Sequence, residues 1–363
     1  MIAGWDAASA QVMVSPAPSN QQKLIVWRAG AVRCAGTVEQ PIALPEPTGQ
    51  LGWGGSGSAA ILPVTLSFAI DASGRPHAIK RSTAYRAYSD EIEPTLASAQ
   101  FAAGTARTDC TLTYAPDAMP IETAPIDALI AYSVFPSAGR LPKSAYDRIR
   151  AVASAGSTCD QPPAVRRRTF PDFKAIPQAP GTRSWSMIGF DINGAGRPTN
   201  VKLFRSTGNA ALDRASVRAV ADSRFEPVAR RGCLYPYWRS GPTLAAPPIP
   251  DTASAEAPTC PVGSQWKTKP ILRFPESYRR LGIEGWASVA YDVAPWGQTG
   301  NIRVLASEPS DAFGAAAIGI VRAATKVPSA QGYTNCVTRV RFVLDPEPAA
   351  PVAEAEGAVP APF

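Results

Sequence analysis

The chain has 363 residues, a 45% hydrophobic content and a net charge of +7, which excludes general disorder and points to two or three domains. No run approaches the roughly 20 apolar residues that cross a bilayer as a helix; the longest apolar piece, Ile61 to Ile70, is strand-length and alternates. The six cysteines contain no CxxC pair, which argues against common zinc and redox motifs and for disulfides, and so for an oxidising compartment.

Residues 1–33 read as an N-terminal segment. Met1 to Ser19 contains Asp6 and two prolines and lacks the basic-then-apolar order of a secretion signal. A leader or anchor is therefore expected ahead of this sequence; the alternative is a cytosolic protein with six buried thiols.

The cysteines set the organisation. Cys34 and Cys110 are 76 residues apart, Cys159 and Cys233 are 74, and Cys260 and Cys336 are 76. The same landmarks recur in the same order between each pair, so the spacing predicts an internal repeat of whole domains. The copies span 34–116, 159–240 and 260–345. In the first, Val64, Leu66, Phe68 and Ile70 alternate into the turn Asp71-Ala72-Ser73-Gly74-Arg75-Pro76. In the second, Trp185 to Ile192 leads to Asn193-Gly194-Ala195-Gly196-Arg197-Pro198. In the third, Trp286 to Val293 leads to Ala294-Pro295-Trp296-Gly297-Gln298-Thr299. Alternation ending in Asp, Asn and Gly is a hairpin signal, and second strands follow at His77–Ser82, Val201–Ser206 and Asn301–Ser307.

A helix comes next in each copy. Phe313, Ala316, Ala317, Ile320, Val321 and Ala324 form one apolar stripe; Leu212, Ala215, Ala219 and Val220, and Ile92, Leu96 and Ala99, mark the others. Closing strands then start at the second cysteine: Cys110–Tyr114, Cys233–Trp238 (interrupted by Pro236) and Cys336–Leu344. The equal spacing predicts the bridges Cys34–Cys110, Cys159–Cys233 and Cys260–Cys336, one of 15 possible connectivities. Closing a loop of about 75 residues stabilises by about 4 kcal/mol in the chain-entropy model, comparable with the whole stability of a small domain.

Two joining segments and a tail lie outside the repeat. Residues 117–158 form a linker with a short helix, Lys143 to Ala155; residues 241–259 form a second linker; the Ala-, Pro- and Glu-rich tail, 346–363, reads as disordered.

The charge is concentrated in the second copy. Cys159 to Ser240 carries 14 Lys and Arg against six Asp and Glu, with Arg166-Arg167-Arg168 and Arg230-Arg231 prominent. The two readings are a solvated face and contact with an anionic envelope polymer. An oxidising compartment argues against nucleic acid.

Catalytic signals are absent. Gly52-Trp53-Gly54-Gly55-Ser56-Gly57-Ser58 lacks the Gly-Lys-Ser/Thr ending of a phosphate loop. The lone His77 has no triad or zinc partners in the pattern and reads as a surface strand residue. Asp90, Glu91 and Glu93 read as helix caps and dipole partners. No cofactor fingerprint occurs, so a binding protein is expected rather than an enzyme.

One segment carries a family resemblance. Phe274-Pro275-Glu276-Ser277-Tyr278-Arg279-Arg280-Leu281-Gly282-Ile283-Glu284-Gly285-Trp286 resembles the start of the TonB C-terminal domain family. The second copy resembles the later half of that family through Gly196-Arg197-Pro198, Arg205-Ser206-Thr207-Gly208, Leu212-Asp213-Arg214-Ala215 and Arg224-Phe225-Glu226-Pro227. The first is supported mainly by Asp71-Ala72-Ser73-Gly74-Arg75. The resemblance implies an α+β fold: three tandem small modules, each a three-stranded antiparallel sheet packed with one or two helices. It implies a periplasmic protein that engages envelope partners, such as an outer-membrane receptor peptide, by strand addition, within energy-dependent transport across the outer membrane. The third copy has the fullest motif and, from Cys336 to Leu344, the longest uninterrupted closing strand. Its expected binding edge is Val337, Arg339, Arg341 and Val343. The alternative is an envelope structural or assembly module on the same fold, without energy transduction.

Overall fold

The computed structural model describes residues 21–54, 60–84, 88–250, 260, 261 and 265–344. The expected disordered tail, most of the N-terminal segment, Gly55 to Ser58 and much of the second linker lie outside these residues. The described chain is mixed α/β, with six helices and several antiparallel sheets.

The first part contains β1 (Gln21–Ala29), β2 (Val32–Cys34), β3 (Thr37–Glu39), β4 (Gln50–Gly54), β5 (Val64–Ile70), β6 (Pro76–Arg81), α1 (Ile92–Ala97) and β7 (Arg107–Pro120). They form one seven-stranded sheet. The helices α2 (Ile126–Val134) and α3 (Lys143–Ala153) follow. The second part contains β8 (Val165–Arg167), β9 (Arg183–Ile192), β10 (Pro198–Ser206), α4 (Ala210–Asp222), β11 (Arg224–Phe225) and β12 (Arg230–Ser240). The third contains β13 (Trp266–Thr268), α5 (Glu276–Leu281), β14 (Gly285–Val293), β15 (Thr299–Glu308), α6 (Asp311–Arg322), β16 (Thr325–Lys326) and β17 (Tyr333–Phe342). Their main sheets are three-stranded, in the orders β10-β9-β12 and β15-β14-β17.

The three disulfides are those the spacing predicts: Cys34–Cys110, Cys159–Cys233 and Cys260–Cys336. The hairpin turns share one backbone geometry. The first turn residue donates its N–H to the fifth residue's carbonyl at 3.0 Å (Asp71 to Arg75), 3.0 Å (Asn193 to Arg197) and 2.9 Å (Ala294 to Gln298). Gly74, Gly196 and Gly297 sit at φ +86°, +75° and +93°, and a Cβ at any of them would lie 2.1 Å from the carbonyl oxygen of Phe101, Phe225 or Lys326. Only glycine meets both demands. Left-handed residues recur at matching places too, Ala78, Asn200 and Asn301 on the second strand and Asp109, Gly232 and Asn335 just before the second cysteine.

The first part departs from expectation. The sheet has seven strands rather than three, because residues 21–33, expected to stand apart, supply β1 and the start of β2, and residues 37–54 add β3 and β4. The closing strand of the third part is the shortest of the three, not the longest: β17 has 10 residues against 14 for β7 and 11 for β12. β7 runs six residues past the expected end at Tyr114, and Pro116 and Pro120 of this extension pair with Trp27 and Lys23 of β1. Residues 117–158 are more than a linker with one helix. α2 and α3 bury Leu129, Ile130, Tyr132 and Ile149 with Leu24 and Leu51 of the first sheet and Trp185, Met187 and Leu234 of the second, so they cement two sheets together. A second core joins the first and third sheets, from Leu66, Phe68 and Ile79 across to Val289, Phe313 and Phe342.

Candidate partner-binding edge

β17 is clamped at both ends. Cys336 ties its start through the disulfide. Phe342 anchors its end in an aromatic cluster, 5.1 Å from Phe313 and 5.7 Å from Phe274 between ring centroids, with Tyr278 4.7 Å from Phe313. The Phe274–Trp286 motif builds that anchor. Pro275 precedes α5, and Gly282 ends it in the left-handed conformation (φ 67°) that glycine adopts without a Cβ penalty. The buried Tyr278 hydroxyl then bonds to Ser310 Oγ at 2.6 Å. Partners for such an edge would meet a strand whose shape is already fixed.

Among the described residues β17 pairs with β14 alone, so on the other side its backbone has no strand partner there. Which residues face that side follows from antiparallel geometry, in which backbone groups alternate between the two neighbours. In the second sheet, Trp185 N–H donates to Thr207 Oγ1 and Trp185 C=O accepts from Thr207 N–H, both at 3.0 Å. Trp185 therefore spends its backbone away from β12. Its cross-strand partner Trp238, and with it Pro236 and Leu234, turns N and C=O to the open side. Trp286 faces Arg341 as Trp185 faces Trp238, so Arg341, Arg339 and Val337 present their backbone groups along the free edge. The Arg339 and Arg341 side chains are exposed and Val337 is half-buried. Val343 is 53% exposed and lies one residue past the end of the strand.

Pro236 accordingly has its nitrogen on the open side of β12, where no ladder bond is lost but no donor can be offered. The first sheet differs again. β1 and β2 run along the far side of β7, with Cys34 opposite Cys110 and Ala29 opposite Tyr114. Gly30 N–H to Thr113 C=O (2.9 Å) and Ala35 N–H to Asp109 C=O (3.2 Å) complete the seam. The edge open on β17 is filled on β7 by the same chain.

The arginines of the second part are largely spent internally. Arg166 forms a bidentate pair with Glu226 (3.0 Å twice), Arg167 donates to the Asp222 carbonyl, and Arg168 donates to Tyr235 Oη at 2.6 Å with its guanidinium over that ring. Arg230 donates to the Thr158 carbonyl, and Arg231 is exposed.

Other readings are corrected by burial. Glu91 and Glu93 are not surface caps: Glu93 pairs with Arg81, both at most 2% exposed, and buried Glu91 pairs with Arg280 of the third part. His77 is half-buried, its Nδ1 3.3 Å from Glu308 Oε1, with Glu308 Oε2 accepting Ala78 N–H at 2.7 Å. Gly52 to Gly54 end β4. A like-signed neighbour or a distant partner leaves no local pattern, so these pairs carried no signal in the sequence. Among the described residues no group of His, Cys, Asp and Glu could hold a metal, and no helix is long and apolar enough to cross a membrane.

The profile of the family described as Gram-negative bacterial TonB protein C-terminal matches residues 270–344, which contain α5, α6 and the whole β15-β14-β17 sheet. No curated protein matches the chain.

Proposed function

With residues 270–344 a TonB C-terminal domain, we propose that this chain is a periplasmic TonB-like binding protein, not an enzyme, that engages envelope proteins by adding their extended segments to β17. We propose further that the three disulfide-closed parts are tandem copies of one module and that the third is the one that binds. In strand addition, main-chain hydrogen bonds supply affinity and alternate side chains supply selectivity. The observation that carries the reading is the contrast in edges: the closing strand of the first sheet already accepts an antiparallel neighbour, and among the described residues none pairs with the equivalent side of β17. An outer-membrane receptor peptide is the partner that the domain's family favours, and transport across that membrane is the process. The basic second part, through Arg231 and the arginines around it, is the region suited to an anionic envelope polymer.

Cross-linking tests this. The full chain carrying a photo-reactive residue at Val337 should trap an envelope protein in intact cells. Arg341→Pro, which deletes an edge donor, should abolish the adduct, whereas Arg341→Ala should leave it within a few-fold. A folded Arg341→Pro chain that cross-links at the wild-type level would show that β17 is not the site and would favour the assembly-module reading.

A further inference from the structure

The three hairpin turns share a backbone but not a surface. In the first two, an Asp or Asn side chain holds the turn: Asp71 Oδ1 accepts from Ser73 and Arg75 N–H at 2.8 and 2.9 Å, and Asn193 Oδ1 from Ala195 and Arg197 N–H at 3.0 Å each. The third has Ala294 in that place and holds its shape by other means. Pro295 fixes φ, and its carbonyl accepts Ser329 N–H at 2.8 Å; the bond from Lys326 N–H to the Gly297 carbonyl (2.8 Å) is common to all three turns, as Phe101 to Gly74 and Phe225 to Gly196 (2.9 Å each).

What that rigid turn displays is a tryptophan. Trp296 stands where the other turns have Ser73 and Ala195, and it is 69% exposed. Since two turns of the same shape manage with Ser and Ala, the fold does not require the indole, and the indole is not a lone surface residue but part of the lining of a cleft. Two further exchanges accompany it. Gln298 replaces Arg75 and Arg197, and Tyr333, opposite Val293, replaces Arg107 opposite Ile70 and Arg230 opposite Ile192. The hairpin end thus loses two arginines and gains an aromatic ring and an amide.

These residues line a cleft of 360 Å³ with Asp292, Asn301 and Gln331, near the lower end of the about 300–1,000 Å³ usual for small-molecule sites. Its polar groups are already oriented. Asp292 accepts Asn301 Nδ2 at 2.7 Å and Asn335 N–H at 2.9 Å, bonds that hold its carboxyl below the usual range and therefore ionised. Trp296 Nε1 donates to Gln298 Oε1 at 3.3 Å, steering the indole. The second part has the same Asp–Asn pair, Asp191 with Asn200 at 2.7 Å, so that pair belongs to the fold. The indole, the phenol and the two glutamines are what the third part adds.

An exposed aromatic face beside amides, a phenol and a carboxylate, with no cation among the lining residues and the nearby Arg303 engaged with Asn335 Oδ1 at 2.6 Å, matches a sugar ring: its C–H face is apolar and its hydroxyls both donate and accept. An anionic ligand would instead favour the arginines that this turn has given up. We propose that the hairpin end of the third part is a binding subsite for a neutral pyranose ring of an envelope glycan, with Trp296 as the stacking platform.

The test uses the full chain with three probes: tri-N-acetylchitotriose in solution, insoluble chitin, and purified peptidoglycan. Wild type should be retained on at least one solid, and the trisaccharide should change tryptophan emission saturably. Trp296→Ala should weaken retention at least about tenfold, a loss typical of removing an aromatic contact; it should fold, since Ala195 occupies the same position. Gln298→Arg, restoring the charge of the other turns, should weaken it less. Trp53→Ala, removing a 64% exposed tryptophan of β4, should change nothing, nor should Arg341→Pro, which separates this site from the strand edge. The proposal fails if wild type binds none of the three at millimolar sugar, if Trp296→Ala binds as wild type does, or if it loses a protein partner while keeping glycan.

Discussion

The first and third sheets end on the same strand and treat its far side in opposite ways. β7 is covered by β1 and β2, and among the described residues no strand covers β17. Their side chains follow suit. Counting from the cysteine, Thr111, Thr113 and Ala115 on the covered strand correspond to Val337, Arg339 and Arg341 on the open one, and Thr113 Oγ1 even bonds across to Thr65 Oγ1 at 2.8 Å. A bare edge invites association, and charge and proline are the usual guards. β17 carries arginines, β12 carries Pro236 on its open side, and β7 needs neither. The three closing strands thus meet their edges by cover, by proline and by charge, and the charged edge keeps the backbone donors of Val337, Arg339 and Arg341 on its open side.

The largest expected effect breaks this comparison at the covered edge. Trp27 of β1 is buried and donates its Nε1 to the Tyr88 carbonyl at 2.6 Å. Trp27→Ala should cost about 3–5 kcal/mol in urea denaturation, the usual range for emptying an aromatic site. Arg341→Ala, on the far edge of the third sheet, should change stability by less than about 0.5 kcal/mol. Similar costs would mean that β1 is laid on β7 as loosely as a partner would be.

The disulfides sharpen the contrast at intermediate scale. Replacing either Cys34 and Cys110 or Cys260 and Cys336 by serine frees a loop of 76 residues and should cost about 4 kcal/mol by chain entropy. The local outcome should differ. Cys34 is also held in the β2–β7 ladder, whereas Cys260 lies outside any strand. Limited proteolysis near Cys260 should accelerate several-fold in the third-bridge variant, with no matching change near Cys34 in the first. Equal acceleration at both would show that β2 contributes no hold of its own.

Much of this fold was legible because its determinants are local. The turn glycines, the Gly282 stop after α5 and the cysteine intervals each mark a place where backbone geometry allows few residues, and each is where the sequence put it. The covering strands were not legible. Leu24, Ile25 and Trp27 are buried without strict alternation in a strand of nine residues, and their partners on β7 lie beyond Tyr114. α2 was hidden because Ile126 to Val134 is apolar on nearly every face, as suits a helix wedged between two sheets. Of the candidate site, the strand and its arginines were readable; that Val343 falls beyond the ladder was not, since alternation continues past Phe342.

The smallest expected effect concerns the seam between the first and third parts. His77 of β6 faces Glu308 of β15, and Asp71 and Arg75 lie near it. The Glu308 hydrogen bond, with help from both carboxylates, outweighs burial and Arg75 and raises the His77 pKa above its ordinary value near 6.5. A raised folded-state pKa means that the protonated histidine stabilises the folded form. That contribution is fully present below about pH 6.5, the unfolded value, and is lost as pH rises through the folded one. The packing of β6 against the third part should therefore loosen slightly above neutrality. Wild type should lose a little stability between about pH 6 and 8 relative to His77→Gln, whose side chain keeps a hydrogen-bond donor but does not titrate. Glu308→Gln should flatten the same difference while leaving the Ala78 N–H an acceptor. Parallel pH profiles for wild type and His77→Gln would show that the pair contributes no charge-dependent stability, and that the two parts are held by their shared apolar core alone.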